Sequence, residues 1–193
     1  MSIFLLAASL AATASPYSPS ITPSQPVAKS SGKYATVLKT LVDQDGRRFD
    51  AARLAGKLVL VNFIFTSCGS TCPTQTMSLA NFDKTLPENI RQRLMIVSIS
   101  VDPRHDTPRI LKAYARRFGA DQARWKFLSG QPADVANVTR SFAALRPGTT
   151  DTSFHTSELR LFDGRGRMIQ RYAGAPLPEQ QLRRDLLALF AAA

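Results

Sequence analysis

The sequence predicts a single α/β sandwich built on a mixed β-sheet. Three observations carry this. Two near-continuous apolar runs, 58–65 (LVLVNFIF) and 94–101 (LMIVSISV), have the β-branched and aromatic make-up of strands buried on both faces. Helical patterns follow each run, giving strand–helix alternation. Near the C-terminus, 159–162 (LRLF) and 168–172 (MIQRY) flank Asp163-Gly164-Arg165-Gly166, the pattern of a hairpin, which adds antiparallel pairing.

The elements fall in order along the chain. Residues 37–42, Asp43-Gln44-Asp45-Gly46 and Arg47-Arg48-Phe49 read as a hairpin closed by an Asp-Gly turn. After the first buried run, Thr66-Ser67-Cys68-Gly69-Ser70 breaks the strand. A helix is expected from about Cys72 to Thr85, with Met77, Leu79, Ala80 and Phe82 as core residues and Pro87 as its stop. Asp102-Pro103 ends the second run. Asp106 or Thr107 can cap the next helix, with Pro108 in its first turn and Gly119 just past its end. Residues 125–128 form a short strand, 132–145 a helix with Val135, Val138 and Phe142 on one side, and 178–192 the last helix.

The chain has 193 residues, enough for one domain with a sizeable core and a tail. Its formal net charge is +11, but the arginines are scattered in pairs, as in Arg47-Arg48, Arg116-Arg117 and Arg183-Arg184. No aromatic residues interleave with them, which argues against nucleic acid as a partner. The charge fits solvated helix faces, and also a surface that steers toward an acidic partner or an anionic membrane face.

Residues 3–12 form a short apolar run, followed by Ala12-Thr13-Ala14 and Ser15. This is the pattern of a secretory signal peptide over residues 1–14, cleaved after Ala14. Residues 15–33 are Pro-, Ser- and Thr-rich and read as an extended tether. The globular domain is then 34–193. No apolar stretch approaches the roughly 20 residues that cross a bilayer, so no transmembrane anchor is evident. A periplasmic or otherwise extracytoplasmic location follows as an expectation.

The chain has only two cysteines, Cys68 and Cys72, placed where the first buried strand gives way to a helix. Sites in α/β sheets are built beyond the carboxyl ends of strands. A helix N-terminus stabilises thiolate, the form that attacks disulfides and ligates metals. Four residues of helix advance about 6 Å and return to the same face, within reach of a shared metal or a disulfide. A purely structural disulfide is the plainer reading, but so small a loop constrains little of the unfolded chain. Two thiolates call for a third ligand, and the chain offers His105 and His155. Two sulfurs with an imidazole suit Cu(I) well and Zn(II) acceptably.

At this point the chain resembles a known family. Residues 61–73 (VNFIFTSCGSTCP), with Val101-Asp102-Pro103, Asp106-Thr107-Pro108 and a late His155, are similar as a set to the Sco (SenC) family. The resemblance covers about residues 37–190. It implies a thioredoxin-like sandwich with an inserted β-hairpin, and copper, as Cu(I) or Cu(II), held by Cys68, Cys72 and His155. It implies delivery of that copper to the dinuclear centre of cytochrome c oxidase subunit II, or reduction of that subunit's cysteines, with another extracytoplasmic copper protein as donor or client. Phe154 stands where family members often carry Asp before the histidine. The competing activity is thiol–disulfide exchange by Cys68 and Cys72 without metal. The C-x-x-x-C spacing, one residue longer than that of typical thioredoxins, favours the copper reading. A peroxidase is disfavoured, because no Arg and Thr arrangement for activating peroxide surrounds a single reactive Cys.

Overall fold

The computed structural model describes residues 33–146, 148–149 and 151–191. The expected signal peptide and nearly all of the expected tether lie outside the described residues. The first helix, α1 (Lys33–Leu38), opens the domain. The short strand β1 (Val42–Asp43), a 3-10 turn at Ala51–Leu54 and β2 (Leu58–Ile64) follow. Then come α2 (Thr71–Lys84), α3 (Glu88–Arg93), β3 (Leu94–Ser100), α4 (Pro108–Arg117) and β4 (Trp125–Ser129). The chain continues through α5 (Pro132–Ser141), a 3-10 turn at Thr152–Phe154, β5 (Leu159–Phe162), β6 (Met168–Tyr172) and α6 (Glu179–Ala191).

The strands form one six-stranded sheet in the order β1-β4-β3-β2-β5-β6. β2, β3 and β4 run parallel, while β1 and β5 are antiparallel to their neighbours and β6 to β5. The unit β2-α2-β3 and the unit β5-β6-α6 sit side by side through the β2–β5 pairing. That is the thioredoxin-like arrangement, with α4, β4 and α5 set between its halves. Loops after β2, β3 and β6 and the approach to β5 therefore share one edge of the sheet.

Alternation along β2 explains the three layers. Leu60 and Ile64 face a core shared with Leu79 and Phe82 of α2, Leu111 of α4, and Leu182 and Leu186 of α6. Val59, Val61 and Phe63 face the opposite core, with Tyr34 and Leu38 of α1 and Val135 and Val138 of α5. No described helix is long and apolar enough to cross a membrane.

The structure corrects the expected first hairpin. Residues 33–38 are helical because Tyr34, Ala35 and Leu38 recur at helical spacing and are all buried. Of the hairpin, the turn itself survives, closed by a Val42–Arg48 bridge. The same turn occurs twice. The Asp43 carboxylate accepts the N–H groups of Asp45 and Arg47, and the Asp163 carboxylate accepts those of Arg165 and Arg167. Gly46 and Gly166 take the positive φ that each turn requires, +75° and +79°. Helix α3 was not expected. It buries Ile90 beneath an otherwise polar surface, so its sequence shows no apolar stripe.

Candidate metal and thiol site

Helix α2 begins at Thr71, so Cys68 precedes it and Cys72 sits in its first turn. The shared-face geometry expected for the two cysteines is thus corrected. The chain from Thr66 to Ser70 folds back over the helix start instead. Ser70 occupies the cap position without a side-chain cap bond, and the Cys68 sulfur accepts the Cys72 N–H at 3.4 Å. A sulfur stands where a serine or aspartate oxygen usually caps a helix. Both cysteines are free thiols.

This placement makes the two sulfurs unlike. At Cys68, partial burial opposes ionisation, but the N–H groups of Cys72, Ser70 and Thr71 outweigh it and hold the thiol below its usual range. Cys72 is buried against the core, and burial pushes its thiol up to about 12.

A buried carboxylate anchors the cysteine loop. Asp106 is 1% exposed and accepts the Thr66 N–H at 3.1 Å, the Thr66 hydroxyl, and the Ser100 hydroxyl at 2.6 Å. Burial raises its pKa against the pull of those donors. Capping of α4 falls to Thr107, whose hydroxyl accepts the Ile110 N–H, which frees Asp106 to tie the end of β3 to the start of the loop.

The structure separates the two histidines. His155 Nε2 lies 3.6 Å from Cys72 Sγ, and its ring packs edge-on against Phe65 at 5.4 Å between centroids. Burial lowers its pKa, a shift tempered by the Phe63 backbone, so the imidazole favours its neutral, ligating form. His105 is exposed and bonded through Nδ1 to Asp102 at 2.7 Å. Met77 is 50% exposed, which corrects its expected place in the core: Thr76 and Leu79 on either side fill the buried face of α2.

The segment carrying His155 is pinned by backbone. Helix α5 ends at Ser141 rather than at the expected Leu145, because the chain turns through Ala143 at φ +46°. Leu145 then bridges to His155, and Ala144 accepts the Thr156 N–H at 2.7 Å. A second tie comes from α2. Gln75 Nε2 donates to the Ser157 carbonyl at 2.6 Å, and Gln75 Oε1 accepts from Asn62 at 2.7 Å. Asn62 in turn accepts the Ser98 hydroxyl, which accepts the Trp125 indole N–H. Gln75 and Ser157 escaped the sequence reading, which placed Asp106 only as a candidate cap of α4 and in the family-like Asp-Thr-Pro element, not as the anchor of the cysteine loop. For Gln75 the signal was present: a polar residue on the buried face of a helix, one turn after a cysteine.

Among the described residues, no three His, Cys, Asp or Glu side chains already stand as a closed metal cage. Cys72 and His155 are in contact, and Cys68 is one hydrogen bond away. Two soft sulfurs with a neutral imidazole fit copper chemically. His155 turns Nε2 toward the sulfur, while its Nδ1 is buried on the other side of the ring.

Fold and site together define a thioredoxin-like protein with a dithiol at a helix start and an imidazole beside it. The SCO1/SenC family model matches residues 31–190, and the chain belongs to that family. It is similar to the SCO1 protein homolog of Bacillus subtilis, 34% identical over 140 residues, covering 70% of this chain and 72% of that one. Among solved structures, Bradyrhizobium japonicum ScoI with copper bound is 30% identical with a TM-score of 0.63, covering 77% of this chain and 95% of that one. BsSco, described as a cytochrome c oxidase assembly protein with a disulfide switch, is 29% identical with a TM-score of 0.65, covering 78% and 90%.

Proposed function

We propose that this protein binds copper through Cys68, Cys72 and His155 and hands it to an extracytoplasmic acceptor. The dinuclear copper centre of cytochrome c oxidase subunit II is the client that fits the family best. The observation that carries the reading is the Cys72–His155 contact at 3.6 Å, with the Cys68 sulfur held at the start of the same helix. Soft thiolates suit Cu(I), and the imidazole adds a ligand suited to Cu(II). Ligation requires both cysteines as thiolates, so loading releases protons and a Cys68–Cys72 disulfide blocks it. The protein acts outside the cytoplasm, with its mature chain starting near Ser15. N-terminal sequencing of protein from its native host tests that location, and an intact cytoplasmic Met1 would refute it.

The asymmetry of the thiols favours a second activity at the same place. Cys68 is half-buried with its thiol held below the usual range, whereas Cys72 is buried with its thiol pushed up to about 12, the division of labour of an attacking and a resolving cysteine. Reducing a client disulfide would close Cys68–Cys72 and pass two electrons and two protons to the client. Anaerobic Cu(I) titration of the reduced protein separates the readings. Uptake of one copper per chain, lost in Cys68→Ala and Cys72→Ala, supports copper binding. Client reduction with no copper uptake supports thiol exchange alone.

A further inference from the structure

The elements that bear the sulfur and the imidazole are joined by one side chain. Cys72 lies in the first turn of α2, and Gln75 follows three residues later on the same buried face. His155 lies in the segment leading to β5, and Ser157 follows it by two. The Gln75 amide donates to the Ser157 carbonyl at 2.6 Å while accepting from Asn62 of β2 at 2.7 Å, so its orientation is fixed at both ends. Gln75 is 2% exposed and Asn62 1%, and buried polar groups satisfied in this way resist rearrangement.

A third strand of chain closes on the same bond. A Cβ placed on Gly174, just past β6, would stand 1.7 Å from the Ser157 carbonyl oxygen and 1.8 Å from Gln75 Nε2. Only glycine fits there, because the backbone itself packs on the amide–carbonyl pair. The hydrogen bond is thus enclosed by the end of β6 and backed by the Asn62–Ser98–Trp125 chain.

We propose that Gln75 is a positioning residue that sets the sulfur-to-imidazole distance of the metal site, with Gly174 holding the lock shut. This rests on the copper reading given above. Gln75 touches no metal; it acts through the backbone that carries His155. Without the amide, α2 keeps its cysteine but the His155 segment loses its tie to that helix. Partners of ligating side chains typically contribute about 10- to 100-fold to metal affinity. The loss should fall on Cu(II), which draws on the imidazole, rather than on Cu(I), which two thiolates retain.

The test compares the parent, Gln75→Met, which keeps length without the amide, and Gly174→Ala, which crowds the same bond. In Gln75→Met the Cu(II) affinity should fall about 10- to 100-fold. Imidazole nitrogen coupling in its electron paramagnetic spectrum should weaken, and Cu(I) stoichiometry should match the parent. Gly174→Ala should move in the same direction. An unchanged Cu(II) affinity and nitrogen coupling in Gln75→Met overturns the proposal, as does an equal fall for Cu(I) and Cu(II) tracking a lower thermal midpoint. A metal-free arm decides the lock on its own: the nuclear Overhauser contact between the His155 and Phe65 rings should be strong in the parent and lost in Gln75→Met. A parent that takes up no copper overturns the copper reading, while that contact still reports whether Gln75 holds His155.

Discussion

The two sides of the site are built differently. The cysteine side is a loop whose start is tied by the Asp106 carboxylate, while Ser67, Gly69 and Ser70 around Cys68 are exposed. The histidine side is bridged to Leu145, bonded to Ala144 and tied to α2 through Gln75. One jaw is anchored at its root and open at its tip, and the other is fixed along its length. On the copper reading, a site of this kind would present a preset imidazole and a buried sulfur to the metal, with Cys68 as the sulfur nearest solvent.

The sharpest way to break the comparison is to remove the sulfurs. Cys68→Ala and Cys72→Ala should each abolish tight Cu(I) binding, read by competition with a Cu(I) chelator. Closing the disulfide should do the same without mutation. Oxidised protein should take up no Cu(I), and a dithiol reductant should restore one equivalent with little change in the fold. Equal uptake by the oxidised and reduced forms would show the thiolate site to be wrong.

His155→Ala is next in size. It should weaken Cu(II) binding more than Cu(I), whereas His105→Ala, at an exposed residue on the Asp102 loop, should leave both unchanged. A larger effect at His105 would reverse the assignment.

Asp106→Ala probes the root of the cysteine jaw. It strands the Thr66 N–H and the Ser100 hydroxyl in a buried place, so it should cost about 2–3 kcal/mol in urea unfolding. A cost below about 0.5 kcal/mol, the usual range of an exposed substitution, would show that the carboxylate does not anchor the loop.

The smallest effect separates the thiols. Thiolate grows as pH rises through a thiol's pKa, so Cys68 should alkylate with a half-rise at lower pH than an ordinary cysteine. Cys72, buried and pushed up to about 12, should stay unmodified in the folded protein across the neutral range. Peptide mapping after iodoacetamide treatment reads both sites, and preferential labelling of Cys72 would contradict the asymmetry.

Much of the architecture was legible because it is periodic. The central strands are apolar on both faces, the Thr107-Pro108 start and Gly119 finish of α4 follow capping chemistry, and the late hairpin has its Asp-Gly turn. Cys68 and Cys72 were legible from residue type and spacing, as was the call for a histidine beside them. The choice between His155 and His105 came from family resemblance, and the fold supplied the contact behind it. What stayed hidden depends on tertiary partners. Tyr34 and Leu38 are helical because a core waits for them, Met77 faces out because its neighbours fill the core, and the tail of α5 unwinds where Leu145 meets His155. Gln75 bonds to Ser157, 82 residues on, and Asp106 to Thr66, 40 residues back, distances no local pattern encodes.

The sulfur that caps α2 has an electronic consequence. An N–H pointed at a thiolate withdraws charge from it, and a thiolate poorer in charge supports the lower oxidation state of a bound metal. Copper held at Cys68 would therefore have its reduction potential raised by the backbone of the helix itself, with no added charged side chain. The first turn of α2 would then act as a fixed electron-withdrawing substituent on the site. A redox titration of the copper-loaded protein reads it: displacing the Cys72 N–H from the sulfur by shortening the 69–70 turn by one residue should lower the potential, and an unchanged potential would show that the cap has no electronic role.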